Sequence, residues 1–229
     1  MKNRIPEAII LAVAVVIFGA CIYCGMKKMV NRDRVVHVRG LAEIEVPADK
    51  VFWGLNFNEL GDDIPAIYKK ISEKNSVVKE FLKKYGIQDS EITVNAPDVT
   101  DNEEIVYREK APKFRYTVSS YISIASTNIE AVRKLQTAIA ELVSQGITVR
   151  ANYADFQFTG LNTVKPKMIE DATHNAREVA EKFAKDSESK LGKIRSASQG
   201  YFSIDDRDQN TPYIKKVRVV TTVDFSLED

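Results

Sequence analysis

The stretch Val35 to Phe57, VVHVRGLAEIEVPADKVFWGLNF, leaves this chain little freedom in how it can fold. In its first run Val36, Val38, Ala42, Ile44 and Val46 share one face of an extended backbone, while His37, Arg39, Glu43 and Glu45 share the other. Successive side chains of a strand point to opposite faces, so this alternation marks a strand with one buried side. After Pro47-Ala48-Asp49 the pattern resumes, with Val51, Trp53, Leu55 and Phe57 alternating against Phe52, Gly54, Asn56 and Asn58. The reading is a long hairpin or bent strand pair that seeds the first sheet.

Directly before it lies Ala8 to Met26, AIILAVAVVIFGACIYCGM, an uncharged run of 19 residues. As a helix it spans about 28 Å, close to the ~30 Å hydrocarbon core of a bilayer. Three fates compete: a retained anchor, a cleaved signal peptide and a lipidation signal ending at Cys21. The run is longer than the apolar core of a cleaved signal and has bulky Ile22 and Tyr23 near its end, and Phe18 is a poor third residue before a lipidated cysteine. The expectation is a single-pass anchor over residues 8–26, with a tail at 1–7 and a basic linker at 27–34. The heavier basic flank, Lys27, Lys28, Arg32 and Arg34, follows the run, and the positive-inside rule taken alone would keep the body in the cytoplasm.

Composition then excludes several classes. About 195 residues follow the linker, enough for a sizeable core, and 44% hydrophobic with 28% charged residues argues for a globular body rather than disorder. Residues 1–34 hold six Lys/Arg against Glu7 and Asp33, leaving 27 basic and 30 acidic residues for the body. A slightly acidic body lacks the basic stripe that displaces counterions from nucleic acid. Both cysteines, Cys21 and Cys24, lie in the apolar run, so the body can build neither a disulfide framework nor a Cys-ligated zinc site. Thiols in hydrocarbon stay protonated, which argues against redox use of the C-x-x-C spacing.

Along the body, Ile64, Ile67, Ile71, Val78 and Leu82 predict an amphipathic helix ending at Gly86, with Pro65 in its first turn. Glu91–Val99 and Phe114–Ile124 read as strands around a charged loop or hairpin tip, 101–113. A second helix is expected from Asn128 to Gln145, with a capping box from Thr127 and Glu130, Val143 on its inner face and a stop at Gly146. Ile147–Leu161 reads as a strand region with a bulge near Asp155. The longest helix is expected over Val164–Leu191, with Met168, Ala172, Ala176, Val179, Phe183 and Leu191 inward and Gly192 at its end. Strands at Lys193–Ile204 and Ile214–Leu227 close the chain around the polar turn Asp205–Pro212. The fold class is α+β, antiparallel sheets with helices on one face. Strand-helix-strand-strand occurs twice, at 51–124 and 147–227, which raises the idea of a duplicated β-α-β-β unit.

No sequence motif of a nucleophile elbow, P-loop, zincin or dinucleotide fold occurs. His37 sits on the polar face of the first strand. His174 lies at helical spacing from Asp171 and Glu178, so a metal site there is sterically allowed, although a solvated helix face explains the same residues. The pairs Asp62-Asp63, Glu103-Glu104 and Asp205-Asp206 fall in expected turns, where acids serve solubility and capping. Trp53, the only tryptophan, belongs to the core. No catalytic, cofactor-binding or metal residue is assigned.

The run Val36-x-Val38-x-Gly40-x-Ala42-Glu43-x-x-Val46-x-Ala48-Asp49-x-x-x-Trp53 resembles the opening signature of the SIMPL-domain family. The Ala-rich third helix, Leu191-Gly192-Lys193 and the alternating last strand agree with it, and the similarity covers about Val35 to Leu227. The resemblance implies an α+β domain of bacterial envelope proteins, exported and commonly oligomeric, ring-shaped in some members and linked in some to oxidative-stress defence. It supplies no catalytic residues, and the retained apolar run departs from members with a cleaved signal. The resulting expectation is a protein anchored in the inner membrane, with a periplasmic body that binds copies of itself and other envelope proteins. It would use neither cofactor nor nucleic acid. The rivals are a hydrolase or metalloenzyme using loop carboxylates and His174, and a module binding a small apolar ligand.

Overall fold

The computed structural model describes residues 5–32, 34–104, 113–151 and 153–228. In chain order its elements are α1 (Ile5–Arg32), β1 (Val35–Pro47), β2 (Lys50–Gly61), α2 (Ile64–Lys84), β3 (Ile92–Val94), β4 (Asp98–Asp101) and β5 (Tyr116–Ser126). There follow α3 (Ile129–Ala138), α4 (Ala140–Ser144), β6 (Arg150–Ala151), β7 (Asp155–Gln157), α5 (Leu161–Asp186), β8 (Lys190–Gln199), β9 (Ser203–Asp206) and β10 (Ile214–Glu228). The architecture is α+β. The chain divides into two compact units. The first takes in the chain up to Ile44, Asn162–Ser203 and the residues from Val217 onward; the second comprises Glu45–Leu161 and Ile204–Lys216.

The second unit is built on a sheet in which β2 pairs antiparallel with β5 along its whole length, Val51 opposite Ser126 through Gly61 opposite Tyr116. β3 and β4 add to the far side of β5, while β6 and β7 add to the far side of β2. The inward positions of β2 are Val51, Trp53, Leu55 and Phe57, as the alternation predicts. They pack with Val118, Ile122 and Ile124 of β5, Ile67, Ile71, Val78 and Leu82 of α2, and Val132 and Leu135 of α3. Gly86, at φ +94, ends α2 because a residue without Cβ enters the left-handed region freely.

The first unit carries the order β1-β10-β8. β8 runs antiparallel to β10, from Gln199 opposite Thr221 to Lys190 opposite Glu228, with register shifts either side of Phe225. Val38, Ala176, Ala180, Val223 and Phe225 form its core. The buried residues of α5 are Met168, Ala172, Ala176, Ala180 and Ala184, one every four residues, a narrow stripe of small side chains on one helix face. A Cβ on Gly40 of β1 would fall on the Ala172 carbonyl oxygen and within 2.8 Å of the Ala176 Cβ. The helix therefore rests directly on the strand backbone.

Several expectations are corrected. β1 and β2 do not form a hairpin. Their link is held by two other segments, Ala48 N–H donating to Tyr213 O and Asp49 N–H to Gln157 O, both at 2.9 Å, so the two runs enter different sheets. The expected strand at 91–99 splits around Pro97 into β3 and β4, with Val94 and Ala96 exposed. The second helix breaks at Ile139, leaving Val143 54% exposed, and its cap is Asn128, whose Oδ1 accepts the Ala131 N–H at 3.1 Å, not Thr127. The helix expected over Val164–Leu191 stops at Asp186, and Leu191 and Gly192 belong to β8. Phe183 is 56% exposed because it lies about 60° around the helix from Ala180 and about 100° from Ala184, off the alanine stripe. The two strand-helix-strand-strand segments are built differently: in the second, β6 and β7 join the sheet of β2 while β8 and β10 form the other sheet. Of the charged segment 101–113, residues 105–112 lie outside the described residues.

Among the described residues no helix is long and apolar enough to cross a membrane. In α1, side-chain surroundings are described for residues 13–26, which at ~1.5 Å per residue measure about 21 Å. Val15, Val16, Ile17, Phe18, Tyr23 and Met26 are exposed there, as are Cys21 and Cys24, both free.

Candidate functional site

The residues singled out by chemistry do not converge. His174 Nδ1 stands 3.5 Å from Glu178 Oε1 on an exposed face of α5, whereas Asp171 pairs with Lys167 at 2.9 Å. Asp62 accepts the Arg115 backbone N–H at 2.8 Å. Glu103 joins Asp101 around the Arg115 guanidinium, and Asp206 pairs with the nearly buried Lys215. Each acidic pair thus has one member committed to a structural partner, and Asp63, Glu104 and Asp205 stay exposed. Among the described residues no three His, Cys, Asp or Glu are grouped so as to hold a metal ion. Trp53 is 3% exposed, in the core as expected.

One constellation that sequence reasoning missed crosses three strands of the first unit. His37 Nδ1 lies 2.6 Å from Asp224 Oδ1, and the Ser196 hydroxyl donates to Asp224 Oδ2. Ser196 and then His37 hold the Asp224 carboxyl below the usual carboxylate range, since both interactions favour its charged form. The order of contacts decides its chemistry. An activated serine needs its hydroxyl on the base, but here both neighbours turn to the carboxylate, so His37 cannot take the Ser196 proton. The group ties β1, β10 and β8 together on the polar side of the sheet.

The opposite side of the same sheet is less complete. β8 is an edge strand, exposed along nearly its whole length, with Ile194 48% exposed. Beside it Glu170, Thr173, His174 and Arg177 of α5, with Ile194 and Phe225, line a groove of about 350 Å³. The helix covers β1 and β10 through its alanines and stands off β8. The result is an open strand edge next to a partly apolar groove, which is the arrangement that takes up another strand or side-chain cluster.

The opening signature also acquires physical roles. Gly40 permits the approach of α5 described above. Asp49 accepts the Thr159 N–H at 2.9 Å, the Thr159 hydroxyl at 3.1 Å and the Gly160 N–H at 3.1 Å, fixing the segment that leads into α5. A carboxylate there satisfies backbone donors that the helix start leaves open. A family model described as SIMPL, protein of unknown function (DUF541), matches residues 36–225.

The chain belongs to the SIMPL family.

No curated protein matches it. The match spans both compact units, so the SIMPL region includes the Gly40 and Asp49 contacts, the His37 constellation and the β8 edge alike.

Proposed function

We propose that this SIMPL protein is a membrane-anchored, extracytoplasmic interaction module that self-associates through the β8 edge and performs no catalysis of its own. The observation that carries the reading is β8: ten residues of strand, paired on one side by β10 and exposed along the other with Ile194 uncovered. A long open edge invites pairing with another chain. The bulges beside Phe225 and the basic Lys193 and Arg195 limit which strand can dock. Because β1 is the other edge of this sheet, pairing of β8 in one copy with β1 in the next is head-to-tail, and such contacts generate rings when the rotation closes.

The anchor is supported by the uncharged run 8–26 and by the exposed apolar side chains of α1. Placement of the body outside the cytoplasm, in the envelope, rests on what the family resemblance implies, against the basic flank at residues 27–34. Confinement to a bilayer raises effective concentration, so weak edge contacts suffice for assembly. Sedimentation of the full-length protein in detergent tests the reading: a mass several times that of one chain is expected, falling to one chain in Ile194→Lys. A single-chain mass for the unaltered protein across a hundredfold concentration range overturns it. Protease added to intact spheroplasts should trim the body, and full protection would place it on the cytoplasmic side.

A further inference from the structure

The solvent side of the second unit's sheet has an uncommon surface. Opposite the helix-covered face, Gly54 of β2 lies against Ser123 of β5, which in turn pairs with Thr93 of β3. These small residues make a floor. Around it stand Phe52, 37% exposed, Tyr121, 38% exposed, and Tyr153, 69% exposed, lining a shallow cleft of about 410 Å³ with Asp155 at its rim. Two of the rings are held. The tip of Tyr121 occupies the space that a Cβ on residue 54 would fill, and Lys50 Nζ sits 4.6 Å from the Phe52 ring centroid. The glycine is what lets an aromatic side chain lie across the strand.

We propose that this cleft binds a saccharide, a flat β-linked chain of pyranose rings with equatorial hydroxyls. The faces of such a ring carry only C–H bonds, weakly positive, and suit the negative face of an aromatic ring. Its rim carries hydroxyls, which meet Ser123, Thr93 and the Asp155 carboxylate. Phe52 and Gly54 are two residues apart on one strand, about 7 Å, so the Phe52 ring and the Tyr121 tip flank a space the size of one sugar ring. Other occupants fit less well. An acyl chain needs an enclosed apolar pocket, and this cleft is shallow and open, with the hydroxyls of Ser123 and Thr93 in its floor. A nucleotide needs several cations for its phosphates, and the cleft is lined by the Asp155 carboxylate with a single ammonium nearby, that of Lys50 on the Phe52 ring. An extended peptide pairs along a strand edge, whereas the Phe52 and Tyr121 rings stand on β2 and β5, inner strands paired on both sides.

Saturation-transfer NMR on the full chain, in a detergent without a sugar headgroup, tests the proposal with cellotetraose and chitotetraose as probes and maltotetraose, α-linked and curved, as comparison. At least one β-linked probe should give saturable transfer, with maltotetraose at least fivefold weaker. Tyr121→Ala and Phe52→Ala should each weaken binding at least tenfold, while Tyr121→Phe stays within threefold. Tyr153→Ala, at an exposed position, should weaken binding several-fold without loss of fold and keeps the test decisive if a ring variant misfolds. Absence of transfer from both β-linked probes, or transfer unchanged in Tyr121→Ala and Tyr153→Ala, overturns the proposal. So does a fall in particle mass in Tyr153→Ala without any sugar signal, which would make the face a contact between copies.

Discussion

The two units solve the same packing problem with opposite materials. In the second, a sheet and two helices meet through Trp53, Phe57, Phe81 and Leu82, large side chains that fill a wide interface. In the first, α5 meets its sheet through alanines and Gly40, so that backbone nearly touches backbone. Large residues hold elements at a distance and gain from buried area; small ones admit close approach and leave no room for growth. The second unit should therefore be sensitive to deletion, and the first to addition.

The largest expected effect is on the deletion side. Trp53→Ala should cost about 3–5 kcal/mol in denaturant unfolding, through lost burial and the cavity left behind; a cost below 1 kcal/mol would mean the core collapses freely around it. On the addition side, one methyl group at Gly40→Ala should cost about 1–3 kcal/mol, because the obstacle is the backbone of α5 and cannot rotate away. A neutral Gly40→Ala would break the contrast. Asp49→Ala should lose about 1–2 kcal/mol, as the Thr159 and Gly160 donors are left unanswered.

A smaller effect is pH-dependent. The Asp224 carboxyl is held below its ordinary value, so its contribution is complete above the unfolded carboxylate range and disappears as pH falls through the lowered value. The melting temperature of the native protein should therefore fall more steeply as pH drops below the ordinary carboxylate range than that of Asp224→Asn; equal slopes would show that the His37-Asp224-Ser196 tie contributes nothing. The smallest effect is at Phe183, where Phe183→Ser should stay within about 0.5 kcal/mol. A cost above 2 kcal/mol would mean that Phe183 packs against the first unit instead of standing in solvent.

What the sequence revealed follows the same division. Period-2 alternation located β2, β5 and β10 and, for β2, the inward residues Val51, Trp53, Leu55 and Phe57, because large apolar side chains have one stable place to go. Alanine carries a weaker signal: the pattern picks out Ala172 and Ala176 but not Ala180 and Ala184, and it turns the more hydrophobic Phe183 inward although that ring is exposed. Polar contacts at long sequence separation were hidden altogether: Asp49 meets Thr159 and His37 meets Asp224 only because strands from distant parts of the chain are brought together. The failure of the β1-β2 hairpin has the same cause, since partner strands β10 and β7 come from the last third of the chain. The cleft over Gly54 was legible only in part, as Phe52 and Gly54 on the outer face, without the Tyr121 ring that makes it a platform.

The proposal that β8 pairs with another copy is tested most directly by hydrogen exchange of its backbone amides. At concentrations where the protein is assembled, amides across Lys190–Gln199 should be protected to the degree seen in β10, with protection of the outward-facing ones lost in Ile194→Lys. Rapid exchange of those outward amides in the unaltered protein at every concentration would contradict the account.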